Sequence, residues 1–193
     1  MGLAKQFRKL ADYLDAPDFA ASRRLRVPYH LYRFFGRVQA WGKVGGVLDV
    51  GANRGHFARA AAQCFAGAAV HAFEPLAVCQ PALQKMARRF PQLRVHQIAL
   101  GDRSAEMTMH ENAYPDSSSL LKMTERHKEL WPKTRDERPI SVPVKTLDSV
   151  RSELGSGPYF MKLDVQGYEL HVLRGAEAVL QDTSVIMAEV LFE

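Results

Sequence analysis

Eleven consecutive residues, Val47-Leu48-Asp49-Val50-Gly51-Ala52-Asn53-Arg54-Gly55-His56-Phe57, limit what this 193-residue chain can fold into more than any other stretch. A short apolar run ends in an acid, passes through a tight glycine-spaced turn and enters a helical pattern. A buried parallel strand hands over to a helix in this way beneath a nucleotide-like ligand. Glu74 lies about one strand–helix unit further on, closing the next apolar run from Val70 to Phe73. An acid there can take both hydroxyls of a ribose. A dinucleotide fingerprint would place glycine at 51, 53 and 56, and the chain has Gly51, Asn53 and His56. Without the second and third glycines a pyrophosphate is poorly accommodated. A ligand with an adenosine and no phosphates fits better, and S-adenosylmethionine is the common one.

From Val44 onward, strand and helix patterns alternate, which implies an α/β fold with a mainly parallel sheet and flanking helices. Expected strands cover 44–50, 69–73, 93–98, 159–165 and 185–192. Expected helices cover 57–65, a stretch opened by Pro81 and closed by Pro91, and 168–174 with Gly175 as its stop. Residues 105–110 and 140–144 read as extra edge strands, and Asp148 as the cap of a short helix to Leu154. Between Glu111 and Pro139 periodicity is weak and turn residues are dense, so 111–139 is expected to be a long loop or lid, with a short charged helix over 122–130.

The charge is unevenly placed. Residues 1–43 hold nine Lys/Arg against three Asp, a net of +6, whereas 44–193 carry a net of −1. Basicity therefore belongs to a helical N-terminal extension, 1–43, and says little for a nucleic-acid substrate. Leu3, Phe7, Leu10 and Leu14 recur at helical spacing, and a second helix is expected over 27–41. Two readings stand for this extension: a cap on the edge of the sheet, or a basic amphipathic segment touching a membrane or a partner. No run is long and apolar enough to cross a membrane, and the N-terminus lacks a secretory pattern. Cys64 and Cys79 read as reduced packing residues, and a cytoplasmic location is expected. His56, His71, His96, His110, His127 and His171 show no metal-ligand spacing, so no metal is expected.

Strand alternation places Phe160, Lys162 and Asp164 on one face of the 159–165 strand. A lysine and an aspartate within a central strand are costly to bury unless paired. Glu189 interrupts the fifth strand in the same manner, so Lys162 is expected to pair with Glu189 or Asp164. Asp164 falls at the carboxyl end, where open α/β sheets place their ligands. It is the expected catalytic base, with His171, one turn beyond, as a second acid/base candidate.

The chain resembles the FkbM family of S-adenosylmethionine-dependent methyltransferases over about residues 45–192. The resemblance rests on Leu48-Asp49-Val50-Gly51-Ala52-Asn53-Arg54-Gly55, Phe73-Glu74-Pro75, Ala99-Leu100-Gly101-Asp102, Ser118-Ser119-Leu120 and Thr146-Leu147-Asp148. It is most specific in Lys162 to Glu169 and in Val172-Leu173-Arg174-Gly175-Ala176. It implies a Rossmann-like class I methyltransferase fold and O-methyl transfer to a sugar, glycan or polyketide-type hydroxyl. By position, Asp49, Gly51, Asn53 and Gly55 would line the methionine side of the cofactor. Glu74 would hold the ribose, and Leu100 to Asp102 would flank the adenine. Gln166 stands where the family usually has glutamate, and the chain stops at Glu193, before the antiparallel strand pair with which the family fold normally ends. The rival readings are a non-catalytic or truncated methyltransferase-like binding module and, less well supported by the glycine spacing, an NAD-type oxidoreductase.

Overall fold

The computed structural model of the chain describes residues 17–112, 118–121 and 137–189. Five parallel strands form the main sheet in the order β3-β2-β1-β7-β8. They are β1 (Gly46–Val50), β2 (Ala69–Phe73), β3 (Leu93–His96), β7 (Tyr159–Leu163) and β8 (Thr183–Ala188). All five residues of β1 and of β7 are buried, as near-continuous apolar runs in a doubly covered parallel sheet should be. The fold is Rossmann-like. The chain leaves β1 toward β2 on one side and returns to β7 on the other, so the strand order reverses at β1 and opens a crevice at the carboxyl ends.

The expected edge strands form a second sheet instead. β4 (Ala99–Leu100), β5 (Ala105–Asn112) and β6 (Glu137–Lys145) are arranged in the order β4-β6-β5, with β5 antiparallel to β6. Residues 105–110 alternate between apolar and polar side chains, which suits a sheet with one wet face rather than an extension of a doubly covered one. The third strand correspondingly stops at His96 and not at Ile98.

Helices α1 (Pro17–Leu25), α2 (Tyr29–Trp41), α3 (His56–Cys64), α4 (Gln80–Arg89), α5 (Glu169–Arg174) and α6 (Glu177–Leu180) flank the strands. The expected helix over Leu3–Leu14 and the charged helix over 122–130 lie outside the described residues. Two helices went unforeseen. α1 carries a proline at its first position, Asp18 in the first turn and Arg23 and Arg24 in the last, each suited to its end of the helix dipole. α6 is capped from a distance. Asp148 does not cap its own 3₁₀ helix (Asp148–Glu153); its carboxylate accepts the N–H groups of Ala178 at 3.0 Å and Val179 at 2.9 Å.

α2 packs on the face of the sheet, not its edge. Phe35, fully buried, meets Phe57 and Phe65 of α3 and its following turn at ring-centroid distances of 5.3 and 5.1 Å, and Phe160 of β7 at 6.1 Å. Truncating Phe35 opens a cavity beneath the central strand. Phe35→Ala is expected to lower unfolding free energy by about 3–5 kcal/mol in a urea titration. A loss below about 1 kcal/mol would mark α2 as a separable appendage.

Candidate functional site

The end of β1 is shaped by backbone conformation. Gly51 (φ 75°), Asn53 (φ 48°) and Gly55 (φ 78°) all occupy the left-handed region. A Cβ on Gly51 would lie 1.9 Å from the Asp164 carbonyl oxygen, so only glycine lets the turn and the β7 end approach. Gly55 serves packing: a Cβ there would sit 2.7 Å from Leu83 Cδ2 on α4. Asn53 is held in place by its N–H, which donates to Glu74 Oε2 at 2.8 Å. Glu74 Oε1 accepts from Leu76 N–H at 3.0 Å. Burial pushes the Glu74 carboxyl up, and these two backbone donors oppose that push.

Beyond the turn lies a cavity of about 1050 Å³ at the carboxyl ends of the strands. Of the residues expected to form the site, Gly51, Asn53, Glu74, Leu100 and Asp164 line it. Asp49, Gly55, Asp102 and His171 do not. Asp49 is fully buried beneath the turn, where it faces Lys162. Asp102 and His171 engage one another, Oδ2 to Nδ1 at 2.7 Å. That hydrogen bond, ahead of the other charges nearby, holds the Asp102 carboxyl below its ordinary value. His171 reaches the cavity only through Tyr168, a lining residue on whose ring it stacks at 4.2 Å and 13°. Arg54, His56, Phe73 and Tyr168 also line the cavity and were not singled out. Arg54 and His56 sit within the glycine turn already marked by sequence, so adjacency alone pointed to them.

Lys162 does not pair with Glu189. Its ammonium lies 2.8 Å from the Gly51 carbonyl oxygen, 3.2 Å from Asp49 Oδ1 and 3.2 Å from Asp164 Oδ2. The first is a hydrogen bond and the other two are ion pairs, so one ammonium faces three oxygens. Burial would pull the Lys162 pKa down, but Asp49 and Asp164 together outweigh it and leave it raised. For Asp49, burial dominates the attraction of Lys162 and raises the carboxyl. The expected pairing missed Asp49 because the partner lies on another strand: β1 and β7 run in parallel register with Asp49 beside Lys162.

Glu189 meets Asp164 through Gln166. The Gln166 side-chain amide donates to Asp164 Oδ1 at 3.1 Å and to Glu189 Oε2 at 2.8 Å. A glutamate at 166 could not donate to either carboxylate when ionised, so the glutamine turns a like-charged pair into a bonded one. Burial acts to raise the Asp164 carboxyl, yet Lys162 and the surrounding hydrogen bonds leave it lowered. Glu189 is raised, first by its contact with Asp164 and then by burial.

Part of the 111–139 segment is also placed. Ser118 and Leu120 line the cavity, and Ser119 Oγ donates to the Gln166 carbonyl at 2.9 Å. Residues 137–139 belong to β6, while 113–117 and 122–136 lie outside the described residues. Among the described residues no group of three or more His, Cys, Asp or Glu is arranged to hold a metal ion.

The family described as the methyltransferase FkbM domain matches residues 49–193. The chain belongs to the FkbM methyltransferase family. A curated relative, the 2-O-methyltransferase NoeI of Sinorhizobium fredii (strain NBRC 101917 / NGR234), is 27% identical over 150 residues. The match takes in 74% of this chain and 62% of that relative, so the chain spans less than two thirds of its length. A solved structure, the methyltransferase FkbM from Methylobacillus flagellatus KT, aligns with a TM-score of 0.49 at 16% identity. That alignment covers 76% of this chain and 32% of the other.

The buried Lys162 cluster in this FkbM domain gives a direct test. Lys162→Met leaves Asp49 buried without its cation and is expected to cost about 3–5 kcal/mol in chemical denaturation. Asp49→Asn combined with Lys162→Met should recover much of the loss, because neither charge is then stranded. Additive effects in the double-mutant cycle would show that the two groups do not interact.

Proposed function

We propose that this FkbM-family chain binds S-adenosylmethionine in the crevice at β1 and directs its methyl group to a hydroxyl of a small-molecule or glycan acceptor, of sugar or polyketide type. The observation that carries the reading is Glu74, 4% exposed and yet lining the cavity. It has no cationic partner within 4 Å among the described residues, and each oxygen takes one backbone N–H and keeps a further lone pair. Two adjacent ribose hydroxyls supply the donors that such a carboxylate lacks. Gly51 bears no side chain where the turn meets Asp164, which keeps the floor of the crevice open to the methionine portion. Leu100 and Phe73 offer apolar walls for the adenine.

Bound there, the cofactor would supply a methyl carbon already activated by its sulfonium. What remains for the protein is to align the acceptor and take its proton. Asp164 and Glu189, bridged by Gln166 at the rim of the cavity, are the groups suited to that task. Lys162 fixes the Asp164 carboxylate in place and keeps it ionised. The name of the relative, a 2-O-methyltransferase, is consistent with an oxygen acceptor. Ser118 and Leu120 support a role for the 111–139 segment in covering the acceptor.

Glu74→Ala should weaken binding of S-adenosylhomocysteine by about 1–3 kcal/mol in calorimetry, the scale of a lost charge-assisted hydrogen bond. Undiminished affinity, or preference for NAD, would remove the basis of the proposal.

Asp164→Asn keeps the size of the side chain and removes its charge. With methyl-labelled S-adenosylmethionine and a panel of hydroxyl acceptors, turnover is expected to fall about 10²–10⁴-fold with cofactor affinity within a few-fold. Lys162 holds the Asp164 carboxyl low, so the parental enzyme should keep its activity at pH values where the raised Glu189 carboxyl is already protonated. Residual activity in Asp164→Asn, which then rests on Glu189, should be lost as pH falls through the raised Glu189 pKa, because a protonated carboxyl cannot accept a proton. A parental rate in Asp164→Asn would assign the proton to Glu189 alone.

A further inference from the structure

One face of α2 is committed to the core through Phe35 and Val38. A separate, solvent-facing side carries His30, Arg33, Arg37 and Trp41, spaced by three, four and four residues and therefore aligned in one stripe about 16 Å long. All four are exposed, and Trp41 is 68% exposed, the most exposed of the large apolar side chains among the described residues. Arg23, Arg24, Arg26 and Lys43 flank this stripe and are exposed too. Asp18 is the one acid between residues 17 and 43, and none of these six basic side chains has a carboxylate within 4 Å among the described residues. From residue 44 the chain carries a net charge of −1, so the net positive charge of the chain comes from residues 1–43.

We propose that the exposed face of α2 docks the protein onto an anionic phospholipid surface. Arginines without a carboxylate partner attract anionic headgroups, and a tryptophan whose apolar body meets water gains by moving to the headgroup level, where its indole N–H keeps a polar partner. A nucleic-acid duplex would be held by the same arginines, but its bases are stacked within the helix and offer no apolar layer for an indole at the end of the stripe. The helix that bears the stripe also touches the cavity, since Leu31, on its core-facing side, is a lining residue. A chain resting on a surface through α2 therefore holds its cavity within one helix length of that surface. This inference does not depend on the chemistry proposed for the cavity.

The test uses the full chain and sedimentation with vesicles of phosphatidylcholine alone or with phosphatidylglycerol added. Binding is expected only with the anionic lipid and should weaken as salt rises. The chain has two tryptophans, so in a Trp131→Phe background the emission of Trp41 should shift to the blue on vesicle addition. Arg33→Glu/Arg37→Glu should lower vesicle binding about 10-fold or more, since each cation near the surface contributes roughly 1 kcal/mol. Arg88→Glu/Arg89→Glu on α4, equally exposed, should stay within a few-fold of the parent. Thermal unfolding of each variant reports its folding, and Arg33→Gln/Arg37→Gln provides a milder version of the same change. Equal binding to phosphatidylcholine would overturn the proposal, as would indifference to the Arg33 and Arg37 changes. Duplex DNA bound in place of vesicles, undiminished by Trp41→Ser, would assign the surface to nucleic acid instead.

Discussion

Everything at the carboxyl end of the sheet depends on one ammonium group. Lys162 sits 7% exposed within β7 and touches three oxygens that belong to three different parts of the site: Asp49 in β1, the Gly51 carbonyl in the turn and Asp164 at the end of β7. Its position 5.8 Å from the Phe57 ring centroid adds a fourth, weaker contact from α3. A buried ion cluster of this kind adds little net stability compared with a well-packed apolar core. What it supplies is geometry. The glycine turn cannot shift relative to β7 without breaking the charge-assisted hydrogen bond between the buried Lys162 ammonium and the Gly51 carbonyl. The floor of the crevice and the Asp164 carboxylate at its rim are thus fixed relative to each other by the same side chain.

Two carboxylates near the crevice end up with opposite tendencies for reasons that can be traced. Asp164 faces Lys162 and remains ionised; Glu189 faces Asp164 and is raised. Gln166, itself at φ 54°, lies between them with both amide hydrogens engaged. The left-handed conformation at Gln166 is stabilised from above, because Ser119 Oγ donates to its carbonyl. The described part of the 111–139 segment therefore reaches the acid pair through the backbone of the β7–α5 connection, in addition to lining the cavity.

The parallel strands, the glycine turn and the acid at the end of β2 were legible because each is a local pattern. A buried strand reads as an apolar run, and a left-handed turn reads as Gly51 and Gly55 flanking Asn53. What escaped the sequence was pairwise and long-range. Lys162 was visible as a buried cation in need of an anion, but the choice between Asp49, Asp164 and Glu189 depends on the register of β7 against β1, which no local pattern encodes. Asp148 was visible as a capping residue, but the helix that it caps lies thirty residues away. His171 was placed near the site by helical spacing, and the structure gives its Nδ1 to Asp102, a residue also expected to line the cofactor. The sequence marked both residues; their mutual hydrogen bond, which keeps them from the cavity wall, is a tertiary fact.

That hydrogen bond still bears on the site. Tyr168 is 4% exposed, lines the cavity and lies flat against the His171 ring. On its other side, a Cβ at Gly101 would come within 3.1 Å of the Tyr168 ring, so the ring is confined between the backbone after β4 and the imidazole. An aromatic wall clamped in this way has few rotamers to lose when a planar ligand stacks near it, which lowers the entropic cost of binding. Asp102 and His171 thus touch the cavity wall only through Tyr168, one contact removed from the cavity itself. The resemblance named Asp102 and strand position named His171; neither could show the Tyr168 ring that stands between the imidazole and the cavity.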